Sequence, residues 1–159
     1  MALTGITPYV VFEQLVTLST VPIISMINTA RDYALKCGYT KMGLLGPLST
    51  MEGTFFQTFF ALQGIKVIAP NKQEKQYIGN KIETELEFGK VFPEIQENFC
   101  KIINRIIQEE KLQAVVLGCT ELPLIFNGME LSVPYIDVMQ IHIQTIFKRI
   151  EFARVKTRL

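Results

Sequence analysis

Cysteine is the side chain in this sequence best suited to take up and give back a proton near neutrality. It occurs three times, as Cys37, Cys100 and Cys119, beside a single histidine, His142. The odd count and the lack of any C-x-x-C pair argue against a disulfide framework, a zinc site or a redox pair. No metal is therefore expected, and a cysteine with a role acts as a lone thiol. Cys37 falls near a helix end and Cys100 follows Phe99 inside a long apolar-striped segment, so both read as packing residues. Cys119 differs. In VVLGCTELPL, Val115–Leu124, an apolar run breaks at Gly118 and the chain turns toward a helix start. Backbone N–H groups and the helix dipole at such a turn lower a thiol pKa and favour thiolate. Small residues also frequent these turns for packing reasons, so the residues alone leave Cys119 either reactive or structural.

The elements that must position this thiol alternate. Apolar Val21–Met26 reads as a strand, followed by a helix from Asn28 or Thr29 to about Lys36, stopped by Gly38. Lys41–Leu45 is a second strand, and Met51–Leu62 has helical spacing through Phe55, Phe56, Phe59, Phe60 and Leu62. Ile65–Ala69 is a third strand, and Lys81–Glu87 a short helix before Gly89. Pro93 opens a long helix, Glu94–Glu110, with Ile95, Phe99, Ile102, Ile103, Ile106 and Ile107 as its buried stripe. Ala114–Leu117 is a fourth strand, Leu122–Phe126 a helical turn, Tyr135–Val138 a fifth strand and Gln140–Ala153 a final amphipathic helix.

Strands separated by helices predict an α/β fold with a parallel sheet covered on both faces. Ligands of such sheets bind beyond the carboxyl ends of the strands. GPLST, GCTE and IDVMQIH all fall at such ends and are expected to meet on one rim.

Composition narrows the function classes. The 159 residues are 48% hydrophobic and 19% charged, enough to bury a core and too apolar for disorder. Lys plus Arg number 16 against 15 Asp plus Glu, so no basic face is implied for nucleic acid or an acidic membrane surface. Apolar runs fall short of the roughly 18 residues that span a bilayer. The N-terminus lacks the basic start and continuous apolar stretch of a signal peptide, so a cytoplasmic location is expected.

The hexapeptide Gly118-Cys119-Thr120-Glu121-Leu122-Pro123 resembles the GCTEL(P) signature of the aspartate/glutamate racemases, which use no pyridoxal phosphate. Hydantoin racemases and maleate isomerases share related sites, but here the likeness extends further. GLLGPLSTMEGTFF, Gly43–Phe56, is similar to the family's GLLGT-x-x-TM…FY segment. IKVIAPNKQEKQYIGNKIETELEFGKV resembles its next strand and a helix bearing E-L-x-x-G-K, and Asp137 through His142 its closing D-x-x-x-x-H.

The resemblance implies an isomerase that needs no cofactor and acts on a small acidic amino acid, aspartate or glutamate. Two cysteines flank the α-carbon; one thiolate removes the α-proton while the other thiol returns one from the far face. By resemblance Cys119 is one of that pair, with Thr120 and Glu121 supplying adjoining contacts. Thr50 would hydrogen-bond a substrate carboxylate with help from its helix N-terminus, Lys90 would pair with a carboxylate, and His142 would lie across the rim. Each has a structural alternative: Thr50 and Glu121 as helix caps, Lys90 as a solvated charge, His142 as a core histidine, Asp137 as a turn or cap residue.

The pattern breaks at the partner thiol. The family's C-N-T-x-H motif corresponds to Gly5-Ile6-Thr7-Pro8-Tyr9, where only Thr7 survives, a neighbour for substrate but a poor proton-transfer group. Family members begin well before this motif, so the expectation is an N-terminally truncated racemase. Residues 1–38 would be the remnant of a first domain, 39–138 the second domain, and 139–159 a helix that packs on the first. The apolar face Ile143, Ile146, Phe147 and Ile150 would then need another cover, such as a second copy of the chain in a dimer. Racemisation is expected to be negligible, and a catalytically inactive binding or dimerisation module is the alternative.

Overall fold

The computed structural model describes residues 1–156 apart from Thr4, Thr7, Pro8 and Val10, with side chains through Phe152. Strands β1 (Lys41–Leu45), β2 (Lys66–Ile68), β3 (Ala114–Leu117) and β4 (Tyr135–Asp137) form a four-stranded parallel sheet in the order β2-β1-β3-β4. This is the predicted α/β architecture. Around it run α1 (Phe12–Leu18), α2 (Met26–Lys36), α3 (Leu48–Glu52), α4 (Phe55–Ala61), α5 (Lys72–Thr84), α6 (Pro93–Glu110), α7 (Leu122–Phe126) and α8 (Val138–Lys156).

Strand alternation sorts the core into two layers. Met42, Leu44, Ala114, Val116 and Ile136 pack with Met26, Ile27 and Ala30 of α2 and the stacked pair Phe56 and Phe60 of α4. Leu45, Val115 and Leu117 point the other way, onto Ile78 and Ile82 of α5, Phe99 and Ile103 of α6 and Leu122 and Ile125 of α7. Each Val, Leu, Ile, Phe or Met side chain fully removed from water in these layers stabilises the fold by about 1.5–3 kcal/mol before entropy is counted. The register aligns Leu45 with Leu117 and Leu117 with Asp137, so three strands end level and their following loops share one rim.

Three expectations are corrected. Val21–Met26 is no sheet strand. Only Ile24 pairs, in an isolated bridge with Ala2, and the Ser25 hydroxyl accepts the Asn28 N–H to start α2 at Met26. The Met51–Leu62 helix is two helices broken at Gly53, where a Cβ would stand 2.6 Å from the Ser49 carbonyl oxygen. The Lys81–Glu87 helix is the end of the longer α5. Asn71 and Glu74 start α5 with reciprocal side-chain-to-backbone bonds of 3.0 and 3.1 Å. The chain then tightens into a 3₁₀ turn, Leu86–Phe88, closed by Gly89 at φ 69°.

Candidate functional site

Two glycines build the rim. The Gly118 N–H donates to the Leu45 carbonyl at 2.7 Å, bringing the ends of β3 and β1 together. A Cβ on Gly118 would lie 3.0 Å from that same carbonyl oxygen, and one on Gly46 would lie 3.0 Å from the Gly118 oxygen. The Thr50 side chain fills the remaining space beside both glycines. Thr50 is completely buried and its hydroxyl has no hydrogen-bond partner among the described residues. It stands behind the rim and is not part of the cavity wall.

Past Gly118 the chain emerges from the sheet, and Cys119 borders a cavity of about 240 Å³. Pro47, Thr120 and Glu121 line it from the loops after β1 and β3, Val138 and Met139 from the start of α8, Glu87 from the 3₁₀ turn after α5, and Gly5, Ile6 and Met26 from the N-terminal part of the chain. The half-buried Cys119 thiol donates to Glu121 Oε2 at 2.8 Å, and the Thr120 hydroxyl donates to Glu121 Oε1 at 2.6 Å. Glu121 occupies the N-cap position of α7 but makes no capping bond; its carboxylate is turned to its two neighbours instead.

This geometry reverses the expected electrostatics. Burial, then the hydrogen bond to Glu121, push the Cys119 pKa up to about 12, with the negative charge of Glu87 acting in the same direction. The thiol therefore rests protonated, with thiolate in about one molecule in 10⁵ at pH 7. Burial also acts to raise the Glu121 pKa, but the bonds from Cys119 and Thr120 outweigh it and hold the group low. The resting pair is a thiol donating to a carboxylate.

The other expected residues scatter. Lys90 is exposed, with its ammonium 5.9 Å from the centroid of the Phe88 ring, outside the cavity wall. His142 is fully buried between α8 and α2, with Nδ1 3.5 Å from the Thr29 hydroxyl, also away from the cavity. Burial lowers its pKa against an opposing contact with the Leu3 backbone. Asp137 accepts the Gln140 N–H at 3.0 Å, the capping alternative. Thr7 lies outside the described residues. Tyr9, which stands where the family motif has histidine, is buried, stacks on Phe12 at 4.7 Å and accepts the Met26 N–H through its hydroxyl.

Pro47 and Met139 belong to the GPLST and IDVMQIH corners expected on the rim but were not singled out. Sequence reasoning missed Glu87 and Met26, which carry no spacing signal because the fold alone brings their segments to the rim. Among the described residues, no helix is long and apolar enough to cross a membrane.

The family model for Asp/Glu/Hydantoin racemase matches residues 1–146. An aspartate racemase homologue from Pyrococcus horikoshii is similar in structure, with TM-score 0.84 and 32% identity over 92% of this chain and 64% of that one. An Asp/Glu racemase candidate from Yersinia pestis gives TM-score 0.82 and 25% identity over 89% of this chain and 61% of its own. A glutamate racemase from Francisella tularensis, solved with D-glutamate, shares the fold at TM-score 0.65 and 16% identity, over 87% of this chain and 51% of that one. The chain thus spans less than two thirds of the length of each. From the match over residues 1–146 and the parallel-sheet architecture it shares with these racemases, this chain belongs to the Asp/Glu/Hydantoin racemase family.

Proposed function

We propose that this chain performs cofactor-independent proton exchange at the α-carbon of an acidic amino acid, aspartate or glutamate, on one face only, with Cys119 as the acid/base thiol. The observation that carries the reading is the Cys119 thiol opening onto the strand-end cavity while bonded to the Glu121 carboxylate. In the forward step the Cys119 thiolate takes the α-proton, leaving a carbanion and a neutral thiol. That S–H exchanges with solvent, and the thiol returns a proton to the same face, regenerating thiolate. Glu121 takes the thiol proton when thiolate forms, and Thr120 steadies its carboxylate. Residues 39–138 hold every strand of the sheet and would form the unit that bears this chemistry.

Net racemisation needs a second group on the far face. Where the family motif has its other cysteine, this sequence has Gly5, which lines the cavity without a side chain. Thr50, Lys90 and His142 would then serve substrate only from outside the wall. The test is incubation with each enantiomer of aspartate and glutamate in D₂O, read by NMR and chiral chromatography. Deuterium entering the α-position without inversion supports the proposal; robust inversion, or no exchange with any of the four, defeats it.

A second reading is favoured by one observation. On α8, Ile143, Phe147 and Ile150 are 44%, 62% and 43% exposed, an apolar face suited to a non-catalytic association module such as a dimer. Sedimentation of the purified chain as a monomer at micromolar concentration would remove it.

A further inference from the structure

Cys119 shares its cavity with two carboxylates, and only Glu121 has a part in the proton transfer above. The other, Glu87, lies in the 3₁₀ turn Leu86–Phe88 and reaches the same wall from a different segment of the chain. Its charge is felt at the Cys119 sulfur. Among the described residues no ion pair engages Glu87, while its sequence neighbours Glu85 and Lys81 pair with each other. Lys90 keeps its ammonium over the Phe88 ring and off the cavity wall. Among the described residues, then, the wall carries two carboxylates and no lysine, arginine or histidine.

Such a wall repels the anionic ends of a dicarboxylate and attracts a cation. The only cation in an acidic amino acid is the α-ammonium, one bond from the α-carbon. We infer that Glu87 binds the substrate's α-ammonium, turning the α-carbon toward Cys119 and both carboxylates away from this wall. The identity of the ligand rests on the proposed α-proton exchange; the preference for an ammonium rests on the wall itself. Held in this way, the ammonium fixes the reacting carbon near the sulfur, and it offsets negative charge that opposes thiolate formation.

The experiment is calorimetric titration of the full chain with aspartate and with succinate, which has both carboxylates and the same carbon chain but no ammonium. The wild type is expected to bind aspartate about ten- to a hundredfold more tightly than succinate, the scale of one charge-assisted hydrogen bond. Glu87→Gln should bring the two affinities together, and Glu87→Asp should restore part of the gap. Wild-type titrations that do not distinguish the ligands, or a preference that survives Glu87→Gln, overturn the inference. Deuterium exchange on the same samples separates the two claims. An ammonium preference lost in Glu87→Gln without wild-type exchange sinks the proton-transfer reading alone. Exchange with unchanged KM in Glu87→Gln sinks the inference alone.

Discussion

Two of the segments that line the cavity contribute unequally. The loop after β3 brings a thiol, a hydroxyl and a carboxylate, joined by bonds of 2.8 and 2.6 Å. The N-terminal segment brings Gly5 and Ile6, which carry no ionisable group. The difference shows that ancestry and chemistry are stored separately. The fold needs only that both segments reach the rim, whereas a two-base reaction needs a specific side chain on each. Tyr9 shows the same separation. Its hydroxyl caps the start of α2 and so supports Met26 on the cavity wall, a structural task that needs no acid/base group.

The largest change should come from filling the poorer side. Gly5→Cys is expected to raise net inversion of aspartate or glutamate by about 10²–10⁴-fold, the usual contribution of a positioned acid/base group. Chiral chromatography reads it, and inversion no faster than wild type would mean that the two sides do not face one substrate.

The richer side is sharpened by pH. With a thiol pKa raised to about 12, Cys119 alkylation should climb about tenfold per pH unit from neutrality into the alkaline range, without a plateau near 9. Peptide mass spectrometry separates this thiol from exposed Cys37 and half-buried Cys100. Glu121→Gln removes the hydrogen bond to the carboxylate and should speed alkylation at pH 8; an unchanged rate would show that the carboxylate does not set the thiol. The same raised pKa affects stability. The unfolded thiol ionises near the ordinary 9.0 while the folded one does not, so stability present below pH 9 should be lost as pH rises toward 12.

Gly118→Ala tests the packing that aims Cys119. Its Cβ would lie 3.0 Å from the Leu45 carbonyl oxygen, and a loss of about 1–3 kcal/mol in urea unfolding is expected. A neutral substitution would mean that the close approach of β1 and β3 is not required. The smallest effect belongs to neither segment but to α8. His142, buried neutral with a lowered pKa, should cost stability as pH falls below the ordinary 6.5, because the unfolded histidine takes up its proton first. His142→Gln should flatten that part of the pH profile of Tm.

How much could be read from the sequence also divides by region. Ala114–Leu117 and Lys41–Leu45 agree with β3 and β1 to the residue, because buried strands read as continuous apolar runs bounded by turn residues. VPIISM carries the same apolar signal, yet the Ser25 cap starts a helix inside it. The start of α5 was written in Asn71 and Glu74 but hidden by a helix with few apolar residues, of which Ile78 and Ile82 are buried. At the site, the position of Cys119 on the rim was legible from topology. Its protonation was not, since that depends on burial and on which way the Glu121 side chain turns. Glu87 was invisible because its part in the cavity comes from a turn distant in sequence.

The central claim is that one sulfur does the proton transfer on one face. Enantiomer-resolved α-deuterium incorporation into aspartate and glutamate, run side by side with wild type and Cys119→Ser, addresses it directly. Label is expected to enter a single enantiomer with wild type and none with the serine variant. Equal labelling of both enantiomers, or labelling that survives the loss of the sulfur, would contradict the claim.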